Sequence, residues 1–172
     1  HVEMTREIAQ KFNSTFGETF KLPKEFIREE VAIVPGIDGR KMSKSYNNHI
    51  PLFAEKEEIQ KLAMSVVTSS ISKGEQIDPD TDNVFALHKL VATEAELEEL
   101  KGVYKSGSIG FKESKELLAE RLERFIAPLR ESRKEITKDA NRLHKLIEEG
   151  GKKAFERYET KMQEVRKRVG LK

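Results

Sequence analysis

The chain holds 172 residues, 37% hydrophobic and 36% charged, with a formal net charge of only +2. That balance suits a helical protein with long solvated faces, and no apolar run approaches the roughly 20 residues that cross a bilayer. With zero Cys the chain can form neither disulfides nor a thiolate metal site, which fits a reducing cytoplasm.

The first residue is His1 rather than Met, and it opens straight into a helical pattern, so a truncated or cleaved product is expected. Met4, Ile8, Phe12 and Phe16 recur every fourth residue and predict an amphipathic helix that stops at Gly17. After an irregular stretch, Val31-Ala32-Ile33-Val34 forms a short apolar, mostly β-branched run bounded by Pro35 and Gly36, the pattern of a buried strand. Residues 36–48, GIDGRKMSKSYNN, are polar and rich in turn formers, a mobile loop. From there the periodicity is helical: Glu55 to Val66, then a loop over 68–81 marked by Gly74 and Asp78-Pro79-Asp80, then Asp82 to Val91. Thr93 with Glu96 makes a capping box that starts a helix towards Tyr104, and KSGSIG breaks it. Phe111, Leu118, Leu122, Phe125, Leu129 and Ile136 trace the seam of a long helix, which Pro128 should kink. Leu143, Leu146 and Ile147 mark a further helix ending at Gly150-Gly151, and Phe155, Tyr158, Met162, Val165 and Val169 mark a last one.

The expected fold is therefore mainly α: helix, one short strand, loop, then a bundle of five or six helices. A lone strand needs neighbours to satisfy its backbone groups, which suggests that a sheet precedes His1 or that the strand docks otherwise.

Charge is spread unevenly. Residues 111–172 carry 18 Lys+Arg against 12 Asp+Glu, a net of +6, and residues 1–110 carry 14 against 18, a net of −4. A basic C-terminal half suits contact with a polyanion, although a solvated helical surface gives the same count. The four histidines show no metal-ligand spacing; His88 and His144 read as ordinary surface or core-edge residues. Phe111, Phe125, Phe155 and Tyr158 lie on apolar seams and read as core rather than base-stacking residues.

Chemistry concentrates in Arg40-Lys41-Met42-Ser43-Lys44-Ser45, which packs three cations and two hydroxyls into six positions on a glycine-flanked loop. Ammonium groups can follow charge building on a leaving phosphate, while hydroxyls and loop N–H groups donate to non-bridging oxygens. A basic surface turn would look the same, and no Walker A run occurs.

Lys41-Met42-Ser43-Lys44-Ser45 is identical to the KMSKS signature of class I aminoacyl-tRNA synthetases, and PGIDGRKMSKSYNN resembles the tryptophanyl branch of that family. HVEMTREIAQKFN, residues 1–13, is similar to the helix that follows the Asp-Gln pair of tryptophanyl enzymes; Gly110-Phe111-Lys112 and the Pro128 helix resemble it more weakly. The likeness spans nearly the whole chain and is sharp over residues 1–13 and 35–48. Tyrosyl enzymes share a similar loop, and a non-catalytic helical RNA-binding module is the rival from another class.

The resemblance implies that residues 1–54 are the tail of a Rossmann-type catalytic domain and residues 55–172 a helical, anticodon-side tRNA-binding domain. It implies that Lys41 and Lys44 stabilise the pyrophosphate leaving group, that Ser43 and Ser45 assist at the phosphates, and that Met42 and Ile33 lie by the adenine. Mg–ATP and tryptophan are the implied substrates, tRNA(Trp) the implied macromolecular partner and a homodimer the implied assembly, with no structural metal. Lys152, Lys153, Arg157, Lys161 and Arg166 (with Lys167 and Arg168) are the candidate tRNA phosphate contacts. No HIGH-like motif occurs in these 172 residues, so the chain alone is expected not to activate tryptophan.

Overall fold

A computed structural model of the chain describes residues 1–28, 32–70 and 74–171. Among them are six α-helices: α1 (Val2–Phe16), α2 (Lys56–Met64), α3 (Asn83–His88), α4 (Glu94–Ser106), α5 (Phe111–Lys138) and α6 (Ala140–Arg168). The chain divides into two compact units, His1–Glu29 with Thr137–Lys172, and Glu30–Ile136. Neither unit boundary falls at 54/55.

The helix ends follow local chemistry. The Asp82 carboxylate accepts the Phe85 N–H at 2.8 Å and starts α3. Thr93 and Glu96 close the capping box of α4, the Glu96 carboxylate accepting the Thr93 N–H at 2.7 Å and the Thr93 hydroxyl accepting the Glu96 N–H at 3.3 Å. That helix ends at Gly107, whose φ of +68° is left-handed and whose absent Cβ leaves room for the Gly74 carbonyl.

In the contiguous unit, Ile59 and Ala63 of α2, Val84 and Leu87 of α3, and Leu118, Leu122 and Ile126 of α5 form one core. Ile77, Phe85, Leu100 and Tyr104 form a second. A chain of buried polar groups links these cores. The Tyr104 hydroxyl donates to Asp82 at 3.0 Å and meets the Ser114 hydroxyl at 2.6 Å. His88 lies beside them, fully buried. Its Nδ1 accepts from Arg121 at 3.0 Å, since a guanidinium can only donate, so its Nε2 carries the proton and donates to the Ser114 carbonyl at 3.1 Å. Arg124 grips the Glu96 carboxylate with two bonds, 2.8 and 2.9 Å. That fork and the Thr93 N–H hold Glu96 down to a pKa of about 2. His88 is thus a core member, not the surface or core-edge residue its helical setting suggested.

In the other unit, Asn13 of α1 folds the chain back after Gly17: its Oδ1 accepts the Thr19 and Phe20 N–H groups at 3.0 and 2.9 Å, and its Nδ2 donates to the Phe20 carbonyl. Cations of α6 close on the same turn. Lys161 donates to the Thr19 carbonyl at 2.9 Å, and Arg168 to those of Phe16 and Glu18 at 3.2 and 3.1 Å.

Three expectations change. No strand forms over residues 32–34; the segment leads only into a single antiparallel bridge between Pro35 and Lys41, and Ile33 is 68% exposed. With no neighbouring strand among the described residues, its backbone pairs with its own loop; Val31 lies outside the described residues. Gly150-Gly151 does not end a helix: α6 runs through it. Glycine costs about 1 kcal/mol per position in a helix, which favourable neighbours on both sides can outweigh. Phe125, Phe155 and Tyr158 remain about half exposed rather than buried. As the seam implied, α5 runs as one long helix with Pro128 inside it.

Candidate functional site

The polar loop of residues 34–50 belongs to the contiguous unit and is built around one side chain, Asn48, which is only 2% exposed. Its Oδ1 accepts the Ser43 N–H at 2.7 Å. Its Nδ2 donates to Asp38 at 2.7 Å and to the Lys41 carbonyl at 3.2 Å. Its backbone carbonyl accepts the Ile37 N–H at 3.0 Å. The first limb of the loop is a tight turn: Gly36 donates to the Arg40 carbonyl at 2.7 Å and Met42 to that of Val34 at 2.8 Å. Gly36 is required by close approach, because a Cβ there would fall inside the Asn48 amide and 2.8 Å from its carbonyl oxygen.

The second limb is a short 3₁₀ turn, Lys44–Tyr46, capped by Ser43, whose hydroxyl accepts the Ser45 N–H at 3.3 Å and meets the Ser45 hydroxyl at 2.8 Å. Asn47 then reverses the chain at a φ of 52°. Both ends of the loop are moored to helices. The Ile37 carbonyl accepts from Val67 at 2.8 Å and from Asn83 at 3.1 Å. Downstream, the Ala54 carbonyl accepts from buried Arg130 of α5 at 2.6 Å, and Glu123 pairs with the same guanidinium.

The cations of the loop divide in two. Arg40 is committed to the fold: it pairs with Asp38 at 2.7 Å and lies over the Tyr46 ring at 4.9 Å. Asn48 and Arg40 together hold the Asp38 carboxyl below its ordinary range. Lys41 and Lys44 are exposed, and neither ammonium meets a hydrogen-bond or ion-pair partner among the described residues. Two uncommitted ammonium groups and two hydroxyls therefore sit on one fixed loop, beside an open cleft of about 600 Å³ lined in part by Met42, Ser43, Lys44, His49 and Phe53. That arrangement can take a polyphosphate without breaking an internal contact.

Lys41, Met42, Ser43, Lys44 and Ser45 are thus brought together, and Ile33 lies exposed at the loop's entry. The α6 cations belong to the other compact unit. There Lys152, Lys153 and Arg157 are exposed. Lys161 and Arg166 are already engaged, the first with Thr19 and Glu164, the second with Glu159 at 2.7 Å. Asn48, Asp38 and Asn83 were missed in the sequence; the only signal for Asn48 is an Asn pair closing a glycine-containing loop.

Residues 1–127 match the family model described as class I tRNA synthetases (W and Y). A tryptophan–tRNA ligase of Rhodopirellula baltica is 40% identical over 171 residues, 99% of this chain and 53% of that protein. One of Aquifex aeolicus is 39% identical over 174 residues, 99% of this chain and 44% of that protein. The chain therefore spans about half the length of the curated relatives it matches. Among solved structures, tryptophanyl-tRNA synthetase of Campylobacter jejuni with ADP and tryptophan superposes with a TM-score of 0.82 at 36% identity, over 99% of this chain and 54% of that one.

Proposed function

The chain belongs to the class I tRNA synthetases of the tryptophanyl and tyrosyl branch, and from that premise we propose that it supplies the phosphate-handling loop and the helical tRNA-facing part of a tryptophan–tRNA ligase. The observation that carries this reading is the intact signature on a pre-set loop with both of its lysines uncommitted. The tryptophan carboxylate attacks the α-phosphorus of Mg–ATP in line, and pyrophosphate leaves as tryptophanyl-AMP forms. The adenylate then acylates the terminal ribose of tRNA(Trp). Lys41 and Lys44 meet the charge that grows on the leaving pyrophosphate; Ser43 and Ser45 donate to its oxygens, and Met42 and Ile33 flank the adenine. Most of the rate gain comes from positioning and electrostatics, with no covalent enzyme intermediate.

Functionally, residues 1–54 form the catalytic-domain part and residues 55–172 the tRNA-binding part. Lys152, Lys153 and Arg157 make the phosphate contacts, with Lys161 and Arg166 secondary because both have internal partners. Cytoplasmic location and homodimerisation belong to the same proposal, the latter to be checked by sedimentation. The deciding experiment is ATP–pyrophosphate exchange by the full-length gene product, with tryptophan and tyrosine offered separately. Exchange with tryptophan alone is expected. Exchange with tyrosine alone would move the specificity to the sister branch, and exchange with neither would overturn the reading. The 172-residue chain by itself is expected to be silent.

A further inference from the structure

We propose that Asn48 is the positioning residue of the signature loop: its carboxamide sets the backbone between Lys41 and Ser43 and joins that setting to the helical body. The proposal rests on the reading that this loop handles ATP phosphates. Every polar capacity of the Asn48 side chain that the fold needs is in use. One oxygen takes Ser43 N–H, and the two hydrogens of the amide go to Asp38 and to the Lys41 carbonyl. The amide orientation is fixed by its partners, since an N–H must face oxygen and two acceptors must face the NH₂ group. The two backbone groups so held flank Met42, so they fix the directions in which Lys41 and Ser43 leave the chain.

The clamp is also linked outward. The Asn48 carbonyl holds Ile37 N–H, and the Ile37 carbonyl in turn holds Val67, just beyond α2, and Asn83, at the start of α3. Gly36 leaves the space that the amide fills. Asn48 makes none of the contacts expected of a catalytic group; it is buried and faces the loop's own backbone. Its effect must pass through the placement of Lys41 and Ser43.

The test uses Asn48→Ala, Asn48→Asp and the swap Asp38→Asn with Asn48→Asp. Asn48→Asp keeps the shape and the acceptor for Ser43 but sets a carboxylate against Asp38 and the Lys41 carbonyl. The swap returns a donor to that pair from the other side, and Asp38→Asn alone measures what the exchange costs the contacts of Asp38 with Arg40, against which recovery in the swap is judged. In pyrophosphate exchange by the full-length gene product, both Asn48 single variants should lower kcat at least 10-fold with the tryptophan KM within 2-fold. The swap should recover a substantial part of that loss. The Ser43 amide, which donates to Asn48 in the parent chain, should exchange faster in Asn48→Ala.

Asn48 single variants within 2-fold of the parent in kcat, or a tryptophan KM that rises with kcat unchanged, would overturn the proposal. Should Asn48→Ala lose its helical circular dichroism, Asn48→Asp and the swap decide: no recovery in the swap counts against the pair. A parent enzyme with no exchange refutes the functional reading instead, and the Ser43 amide then decides the clamp by itself: equal protection with and without Asn48 would sink it.

Discussion

Residues of this chain that carry charge fall into those spent on the fold and those left for a ligand, and the division predicts which substitutions act on rate and which on stability. Lys41 and Lys44 have no internal partner among the described residues, so Lys41→Ala or Lys44→Ala should leave the melting temperature unchanged. Each should cost about 2–4 kcal/mol of transition-state stabilisation in tryptophan activation, seen as a fall in kcat rather than a rise in KM for tryptophan. His88 is the opposite case. Burial first, then the Arg121 charge, lowers its pKa from 6.5 to about 4, so the fold holds it neutral. A depressed folded pKa means that the full stability is present above pH 6.5 and is lost as pH falls from 6.5 towards 4. The loss from this residue is on the order of 3 kcal/mol. The neighbouring Asp82, raised by burial, works in the opposite sense and trims the net effect. Urea unfolding followed from pH 7.5 to 4.5 should show the decline, and His88→Gln should flatten it.

Elements were legible in the sequence where the signal was local and obscure where it depended on neighbours. Thr93 and Glu96 announced α4 because both halves of a capping box lie within four residues. Thr93→Ala should therefore cost about 1 kcal/mol in thermal or urea unfolding, the usual worth of an N-cap. Gly17 likewise marked the end of α1, though the apolar stripe of that helix misled about burial: Met4 and Ile8 are 64% and 63% exposed, and only Ala9 is buried. Periodicity reports that a face is apolar and is silent on what covers it. Residues 32–34 failed as a strand for a related reason, since pairing is decided by partners elsewhere and not by β-branching. In the loop, the lysines and serines could be read by their chemistry. The clamp could not, because Asn48 joins Asp38, Lys41 and Ser43 through contacts 5 to 10 residues apart that no local rule encodes.

At the scale of the molecule, α6 offers a polyanion two kinds of cation. Lys152, Lys153 and Arg157 are exposed, whereas Lys161, Arg166 and Arg168 already hold carbonyls or carboxylates of their own unit. If the first three meet tRNA phosphates, each neutralising substitution should reduce the salt dependence of binding by about one in slope, with affinity falling uniformly across tRNA species. Lys161→Gln should instead lower thermal stability and barely move the slope. Filter binding at several salt concentrations separates the two classes.

The unit to which α6 belongs is assembled from opposite ends of the chain. Its bonds from Lys161 to Thr19 and from Arg168 to Phe16 close loops of 142 and 152 residues, and the whole of the other unit lies inside them. On a ribosome, residues emerge in order, so α1 must wait without its partner until α6 has been made. Residues 30–136 can meanwhile gather both of their cores from contiguous chain. Folding should then be stepwise, the signature loop set early and the discontinuous unit closed last, by the slower search that such distant contacts impose.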